Sequence, residues 1–406
     1  MRLVHLSDLH LGFRQYQRLT PAGINQREAD VATSFRRAID RVIELAPDVV
    51  LIAGDVFHTV RPTNPAILFA FRQFAHLRQQ LPDTRVVMIA GNHDTPRSTE
   101  TGCILRLFTQ LGIDVIDDGP QRLSIPELEL SILAVPDVPG TRPALRPEPG
   151  VRYNVLLLHG EVEGMLPAHA MTVDRAALEI SHEELGAERW DYVALGHYHV
   201  YREIAPNAYY AGSIDYTSAN AWGEVYEQRV AKIPGKGIIE RDLATGRHEF
   251  HPLPPSRELL DLIPISAAGL NAADVDAAIR DAIETAPGGI DDRIVRLIVR
   301  DVPRHLVREL DHKAVREYQR RALHFLLDTR RPDVTRASAI SGSPGKRPSL
   351  ADLVRGTLQG RVIDADVNRE TLVSLGLHYL EEAERLASVD AEGAAAVAAG
   401  RSPDDA

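Results

Sequence analysis

The chain has 406 residues, of which 44% are hydrophobic and 25% charged, so it can bury a large core and is expected to exceed one domain. It contains no run of about 18 apolar residues, and Met1-Arg2 leads directly into an apolar strand, which predicts a cytoplasmic protein rather than a membrane or secreted one. A net charge of -11 argues against indiscriminate binding of nucleic acid, and the single cysteine, Cys103, excludes an internal disulfide and a cysteine-rich zinc site.

Over residues 1–115, apolar β-rich runs alternate with amphipathic helical stretches. This alternation predicts βαβ units around a mainly parallel sheet. The expected strands are Arg2–Leu6, Asp48–Ala53 and Arg85–Ala90, and the expected helices are Gln26–Ala46, Asn64–Leu81 and Thr101–Leu111.

Beyond residue 112 the chain changes to short strands separated by Gly, Pro, Asn and Asp. A second sheet packed on the first is the simplest interpretation, which gives an α/β fold made of a two-sheet sandwich flanked by helices. The expected strands are Leu128–Val135, Asn154–Leu158, Tyr192–Leu195, Ala208–Ala211 and Gly237–Arg241.

A smaller α+β domain is predicted after the proline-rich break at 253–256. Its expected elements, in strand–helix–strand–helix–strand order, are Leu259–Ser266, Ala272–Thr285, Arg293–Val302, Arg304–Ala322 and Leu323–Asp328. The predicted divisions of the chain are a first domain 1–255, a small domain 256–330, a linker 331–349, a C-terminal helical segment 350–389 and a disordered tail 390–406.

Short polar motifs follow the apolar strands of the first domain, where open α/β sheets bind their ligands. Taken alone, an Asp-x-His or His-x-His motif is more often an ordinary loop than a ligand pair, and a buried histidine is more often a satisfied core residue. Their ordered succession instead indicates a metal site, and every motif but the first includes a glycine that permits a sharp turn. The candidate ligands are Asp8, His10, Asp55, Asn92, His159, His197 and His199.

These donors predict two divalent cations. Imidazole together with carboxylate and amide oxygen suits Mn²⁺, Fe²⁺, Zn²⁺ or Co²⁺ better than Mg²⁺ or Ca²⁺. Seven protein groups exceed the needs of one ion and fit two, so that a bridging carboxylate would allow water to be activated for attack on phosphorus. Asp55 is the candidate bridge.

The motif series resembles the calcineurin-like metallophosphoesterase superfamily, and within it the SbcD-type subunits of bacterial DNA-repair nucleases. The resemblance rests on Ser7–Gly12, Gly54–His58, Ala194–His199 and Tyr210–Ser213, and it covers roughly residues 1–330. It implies a metallophosphoesterase sandwich in which residues 256–330 form a DNA-capping domain. It further implies two divalent ions, which we expect to be Mn²⁺.

The resemblance also implies a role for each site residue. One metal would be held by Asp8, His10, Asp55 and His199, and the other by Asp55, Asn92, His159 and His197. His93 would be a catalytic histidine that stabilises or protonates the departing 3′-oxygen, with Asp94 orienting its ring. His58 would be the second active-site histidine, or alternatively a hydrogen-bonding partner behind a ligand.

Two regions are candidates for DNA contact. Phe13, Arg14, Tyr16 and Arg18 mix cations with aromatic rings directly after the first ligand loop, although an ordinary solvated loop explains them too. Residues 304–347 carry eleven Lys/Arg against five Asp/Glu, which suits a DNA groove or a solvated helix face.

The resemblance implies an SbcC-type ATPase partner. This chain has no Gly-x-x-x-x-Gly-Lys-Ser/Thr loop of its own, so ATP hydrolysis would have to reside in another protein. The apolar residues of the C-terminal segment, including Leu353, Leu358 and Leu375, would dock on that ATPase or else pack on the small domain. The apolar surplus of the helix from Asn64 favours a homodimer bundle or a deeply buried helix.

The sequence therefore predicts a metal-dependent exonuclease or endonuclease that acts on DNA in double-strand-break repair. A metallophosphodiesterase of small molecules is the alternative within the enzyme class. A DNA-tethering scaffold with a vestigial metal site is the alternative outside it, and the completeness of the ligand set argues against it. A protein phosphatase is disfavoured, because Gly54–His58 lacks the Gly-Asp-x-x-Asp-Arg-Gly sequence of that branch.

Overall fold

The predicted alternation of strands and helices forms the N-terminal part of the chain. The structure is a computed structural model that describes residues 1–96, 102–165, 176–332, 350–360 and 368–380. In chain order, the first elements are β1 Arg2–Leu6, α1 Gln26–Leu45, β2 Val49–Ile52, α2 Asn64–Gln80, β3 Arg85–Ile89, a 3-10 helix Ile104–Leu111 and β4 Asp114–Ile116. The expected helix Thr101–Leu111 is a 3-10 helix over Ile104–Leu111, and Thr101 itself lies outside the described residues.

The middle of the chain consists of short strands with few helices. Its strands and α-helices are β5 Gln121–Ile125, β6 Leu130–Val135, β7 Tyr153–His159, β8 Glu161–Val162, β9 Glu179–Ile180, α3 His182–Leu185, β10 Tyr192–Gly196, β11 Arg202–Ala205, β12 Ala208–Tyr210, α4 Ala221–Ala231, β13 Lys236–Asp242 and β14 His248–Leu253. Short 3-10 turns occur at Pro126–Leu128 and Ala187–Arg189.

Two six-stranded sheets carry the site. The first has the order β14-β13-β1-β2-β3-β4 and the second the order β11-β12-β10-β7-β6-β5. Parallel pairing joins β1, β2, β3 and β4 in the first sheet and β12, β10, β7 and β6 in the second, while β13 runs antiparallel to β1. The two-sheet prediction is confirmed. The assignment of Gly237–Arg241 to the second sheet was wrong, because β13 pairs with the open edge of β1.

Alternating side chains of β1 and β2 divide the sandwich into two apolar layers. Val4 and Val50 pack with Phe35 of α1 and Phe74 of α2, so the helices cover the outer face of the first sheet. Leu3, on the opposite face of β1, packs with residues of the second sheet. A side-chain period of two in the strands thus places apolar side chains on both faces of the first sheet, and both faces are buried.

The region predicted as the small domain has its own sheet and its own apolar core. Its elements are β15 Leu259–Asp261, β16 Ile265–Ser266, α5 Ala272–Glu284, β17 Ile294–Arg300, α6 Arg304–Glu309, α7 His312–Arg321 and β18 His324–Thr329. All pairings with β17 are parallel. The expected strand Leu259–Ser266 is interrupted before Pro264, which cannot donate a sheet hydrogen bond, and the expected helix Arg304–Ala322 is divided where Asp311 caps α7.

The chain divides into two units, Met1–Asp333 and Val334–Ala406. The second contains α8 Leu350–Gly360 and a helical stretch over 369–380, which fall within the predicted C-terminal helical segment. Most of the predicted linker and the whole of the predicted tail lie outside the described residues. Among the helices that the structure describes, none has both the length and the apolar character that a membrane crossing requires.

Candidate metal centre

The seven predicted ligands converge at one edge of the sandwich. They follow or end strands β1, β2, β3, β7 and β10, so both sheets contribute to the site. The donor atoms of Asp8, His10 and His199 lie within 4.8 Å of one another, and those of Asp55, His159 and His197 form a second such group.

Asp55, a member of the second group, also faces the first. Its Oδ2 atom is 3.7 Å from Nε2 of His10 and 3.6 Å from Nε2 of His159, while its Oδ1 accepts the backbone N–H of His93 at 2.9 Å. The carboxylate is almost completely buried, so no bulk water competes for its oxygens. This position fits a group that bridges two cations.

Two histidines present opposite ring nitrogens to the second group. His159 donates Nδ1–H to the carbonyl oxygen of Ala53 at 2.7 Å, which leaves Nε2 facing Asn92 Oδ1 at 3.0 Å. His197 has Nε2 3.2 Å from Glu161 Oε1 and Nδ1 3.1 Å from Asn92 Oδ1. In each ring, the nitrogen that faces away from the site has an acceptor and the other is available to a cation.

His10 and His199 meet through their Nε2 atoms at 2.9 Å. Burial, and then the charges of the neighbouring histidines, lower the pKa of His10 and keep its ring neutral. Imidazole nitrogens, two carboxylates and one amide oxygen, gathered in one place, are a donor set that fits two divalent ions.

Four of the ligands adopt a left-handed backbone, which L-residues rarely do. Their φ angles are 53° for Asp8, 45° for His10, 53° for Asp55 and 104° for His197. Each such residue costs about 1–3 kcal/mol, and hydrogen bonds between the loops offset it. Asp8 N–H donates to Gly54 O at 3.0 Å, and His197 N–H donates to Asp8 Oδ1 at 3.0 Å.

The glycines beside the ligands serve close packing more than turns. A Cβ atom on Gly54 would overlap the ring of His159, one on Gly91 would overlap the carboxylate of Asp55, and one on Gly196 would overlap the backbone at Ala53, directly after β2. Of these three, Gly54 alone has a positive φ, 88°. The expectation that each glycine permits a sharp turn was therefore wrong for Gly91 and Gly196.

His58 and His93 lie beside the ligand His10. His93 Nδ1 is 2.8 Å from the carbonyl oxygen of His58, and the two rings stack with centroids 5.2 Å apart. His58 Nδ1 is 3.3 Å from His10 Nδ1, a contact that suits the alternative role of hydrogen-bonding partner behind a ligand. Both catalytic roles stay predictions.

The role of Asp94 in orienting His93 stays a prediction, but the structure shows a further role for this residue. Its buried carboxylate accepts the backbone N–H groups of Val56, Phe57 and Gly91 at 3.0, 3.0 and 3.1 Å. It therefore joins the loop after β2 to the loop after β3, which are the loops that carry the ligands at positions 55 and 92. Burial, and then the charge of Asp55, raise the pKa of Asp94.

Phe13 is not available to stack on a base. Only 4% of it is exposed, and it packs in the first core with its ring edge-on to His58 at 5.0 Å. The assignment of Phe13 to base stacking was wrong, because an apolar ring beside a ligand loop can equally pack in the core and stabilise the loop. Arg14, by contrast, is exposed, and its Nε lies 2.7 Å from Glu28.

Tyr16 and Arg18 hold the small domain. The Tyr16 ring stacks on His324 of β18 with centroids 4.0 Å apart, and Arg18 donates to the carbonyl oxygens of Ala322 and Arg320 at 2.9 and 3.3 Å. These two residues thus contact the small domain, and the part they would take in DNA contact stays a prediction.

The cation-rich region 304–347 is described only in part. Within it, Arg321 pairs with Asp291 of the same small domain. Residues 333–347 lie outside the described residues, so the choice between a DNA groove and a solvated helix face stays a prediction.

Three polar residues near the site were missed by the sequence analysis: Glu161, Glu224 and Lys236. Glu224 Oε1 is 3.6 Å from His199 Nδ1, and Lys236 Nζ contacts Glu224 and donates to His199 O at 2.7 Å. Burial opposes ionisation of Glu224, but the charge of Lys236 and the contact with His199 outweigh it and lower the pKa of Glu224 to about 2. Glu161 directly follows His159-Gly160, a signal that was available, whereas Glu224 lies on α4 with no motif around it.

Residues 1–201 match the sequence profile of the family described as Calcineurin-like phosphoesterase. All seven predicted ligands fall within this range.

Several relatives carry the name DNA double-strand break repair protein Mre11. That of Methanococcus maripaludis is 29% identical over 260 residues, which are 60% of this chain and 63% of that protein. That of Thermoplasma acidophilum is 25% identical over 259 residues, or 60% and 62%. That of Methanocaldococcus jannaschii is 39% identical over 97 residues, 24% of each chain. The matches thus span less than two thirds of these relatives. Residues 1–201 thus form a calcineurin-like phosphoesterase domain.

Proposed function

We propose that the chain is a metal-dependent nuclease that hydrolyses phosphodiester bonds of DNA during double-strand-break repair. The observation that carries the proposal is the pair of ligand groups joined by Asp55, with His93 beside His10. The name of the Mre11 relatives supports DNA as the substrate. Such a role would locate the protein in the cytoplasm with the nucleoid.

The metal ligands would divide into two sets that share Asp55. Asp8, His10 and His199 would complete one set, and Asn92, His159 and His197 would complete the other. We propose Mn²⁺ for both positions, because mixed nitrogen and oxygen donors suit a borderline cation. When bound, the two ions would activate a water for attack on phosphorus and offset the negative charge of the phosphate.

His93 would exchange a proton with the departing oxygen. Its Nδ1 lies 2.8 Å from the carbonyl oxygen of His58, so Nδ1–H is held by the backbone and Nε2 would serve the substrate. Protonation of a leaving oxygen by a positioned histidine contributes about 10²–10⁴-fold to a rate. Stacking against His58 limits rotation of the ring and keeps Nε2 in one place.

A comparison of substrates tests this function. The protein, supplied with Mn²⁺, is assayed on linear duplex DNA, bis-p-nitrophenyl phosphate, cyclic nucleotides and phosphoproteins. We expect cleavage of DNA and of the simple diester. Cleavage of small esters without DNA would favour a small-molecule phosphodiesterase, and DNA binding without cleavage under any divalent ion would favour a scaffold.

The His93→Ala variant separates catalysis from coordination. We expect Mn²⁺ content and DNA affinity close to those of the wild type, with turnover reduced by about 10²–10⁴-fold because the proton donor is lost. His76→Ala, which removes an exposed histidine of α2, is the matched control. A loss of Mn²⁺ from His93→Ala would instead assign His93 to the ligands.

We propose an SbcC-type ATPase as the partner of the second unit. Its helices leave large apolar side chains exposed, among them Leu353 at 49%, Leu375 at 48% and Tyr379 at 61%. Leu375 and Tyr379 lie one helical turn apart, which suits docking into an apolar groove. Co-purification of the ATPase with wild-type chain, and its loss with Leu353→Glu, would support this assignment.

We propose a homodimer through α1 and α2. Ala66, Ala70, Phe74 and Leu77 of α2 are buried, whereas Leu68 is 55% exposed and lines a groove with residues of α1. The exposed apolar side argues against the alternative of a deeply buried helix. Light scattering of the Leu68→Glu variant is expected to give the mass of a monomer.

Arg14 remains our candidate for contact with a DNA phosphate. It is an exposed cation in the segment that follows the first ligand loop, and its contact with Glu28 through Nε leaves further guanidinium N–H groups able to donate.

A further inference from the structure

His199 differs from the other two ligand histidines of the second sheet. The nitrogen behind His159 has the carbonyl oxygen of Ala53 as acceptor at 2.7 Å, and the nitrogen behind His197 has Glu161 Oε1 at 3.2 Å. Nδ1 of His199 is buried and makes no hydrogen bond within the described part of the chain. Its Nε2 faces His10 at 2.9 Å, on the side of the metal centre.

A neutral imidazole that binds a cation through Nε2 carries its proton on Nδ1. A buried N–H without an acceptor costs about 1–3 kcal/mol, so metal binding at His199 requires an acceptor behind the ring. The carboxylate oxygen Oε1 of Glu224 lies 3.6 Å from that nitrogen. A small shift of either side chain would bring the two atoms to hydrogen-bond distance.

Glu224 is itself held in place. Lys236 Nζ and the Ser218 hydroxyl both contact its carboxylate, and the glutamate and lysine side chains are 7% and 1% exposed. Lys236 also donates to the backbone carbonyl of His199 at 2.7 Å. The lysine therefore fixes both the carboxylate and the backbone of the ligand that the carboxylate faces.

We propose that Glu224 is the positioning residue of His199, accepting Nδ1–H so that Nε2 is directed at the metal. The inference rests on the metal-binding function proposed above and deepens it. The carboxylate also makes the ring a stronger donor, an effect whose loss costs about 10–100-fold in metal affinity. It acts on the ion held with Asp8 and His10, because His199 belongs to that group.

The test measures Mn²⁺ binding and does not depend on activity. Free and bound Mn²⁺ are distinguished by electron paramagnetic resonance during titration of the full chain. We expect two sites in the wild type, and in Glu224→Gln one site weakened by about 10–100-fold with the other unchanged. Asp261→Asn is the matched control, because Asp261 is also a shielded carboxylate, at 12% exposure, and pairs with Arg296 away from the candidate ligands.

A second variant separates positioning from damage caused by an unpaired lysine. Glu224→Gln/Lys236→Met removes both charges, so no buried ammonium is left without its partner. If Mn²⁺ affinity stays low in the double variant, the carboxylate itself is needed. Recovery of wild-type affinity would overturn the inference, and so would two wild-type sites in Glu224→Gln. A wild-type chain that binds no Mn²⁺ would overturn the metal centre itself.

Discussion

The carboxylate of Asp55 takes part in three contacts that restrict it. Oδ2 faces His10 and His159, and Oδ1 accepts the N–H of His93. The residue has a φ of 53° and packs directly against Gly91. Because Asp55 faces two ligand groups from a strained backbone, its carboxylate cannot shift without losing one of these contacts. The backbone of Gly91 beside it therefore matters as much for the site as the carboxylate itself.

Gly91→Ala is expected to abolish binding of both ions. The added Cβ would overlap the Asp55 carboxylate, which must then leave its place between the two ligand groups. Gly119→Ala is the control, since a Cβ there meets nothing within 4 Å. Isothermal titration with Mn²⁺ measures the effect, and two intact sites in Gly91→Ala would contradict it.

The convergence of the candidate ligands could be predicted from the sequence, whereas the contacts of Asp94 and Glu224 could not. The ligands follow parallel strands, whose carboxyl ends meet at one edge whatever the details of packing. The contacts of Asp94 with backbone N–H groups, and of Glu224 with His199, depend on how loops and a helix approach in three dimensions. The spacing of residues in the sequence does not predict how these loops and this helix approach each other.

At the scale of elements, two of the contacts that attach the small domain are made with α1 and with the segment after the first ligand loop. Arg257 forms a paired contact with Asp30 of α1 at 2.9 and 3.0 Å, directly after the connection between the domains. The second attachment is the stack of Tyr16 on His324 with the hydrogen bonds of Arg18. Because Tyr16 and Arg18 follow the first ligand loop, the small domain is joined to the metal centre by a short stretch of chain.

Replacing both Tyr16 and Arg18 with Ala is expected to loosen the small domain without unfolding it, since that domain has its own core. An aromatic stack contributes about 0.5–1.5 kcal/mol and a hydrogen bond about 0.5–1.5 kcal/mol, so opening should become roughly tenfold more frequent. Limited proteolysis at 253–258 measures it. Arg308→Ala, at an exposed position of α6, is the control, and equal cleavage rates in both variants would refute the attachment.

Element positions followed from sequence period, and element interruptions did not. β1 was predicted over Arg2–Leu6 as observed, and α1 and α2 differ from expectation by one residue at their ends. The break between β15 and β16 and the return of β13 to the first sheet are decided by pairing with other strands. Strand pairing depends on the tertiary structure, and a local sequence pattern does not determine it.

At the scale of the whole molecule, His5 lies between the two sheets without exposure to solvent. Its Nδ1 is 3.1 Å from the hydroxyl of Tyr192, so the ring joins β1 to β10. Burial lowers the pKa of His5 to about 3. The sandwich therefore holds a neutral imidazole at its centre and resists the uptake of a proton there.

Acid should weaken the sandwich through His5. Because the pKa of His5 is lower in the folded state than in the unfolded chain, its contribution to the free energy of unfolding is complete above about pH 6.5. This contribution is lost as the pH falls towards 3. The free energy of unfolding should fall by about 1.4 kcal/mol per pH unit from this group. Urea unfolding of metal-free protein is measured at about pH 7 and pH 4.5. Between these two pH values, the free energy of unfolding should fall by about 2 kcal/mol less in His5→Gln than in the wild type. Equal losses would exclude His5 as the cause.

The hydrogen bond from His197 N–H to Asp8 joins residues 189 positions apart, across the two sheets. Contacts of such sequence separation form late in folding, because a long loop must close first. The complete ligand set therefore exists only after the sheets have docked, and bound ions would stabilise the native state more than the transition state. Metal loading would slow unfolding and leave the folding rate nearly unchanged, which makes the centre a source of kinetic stability.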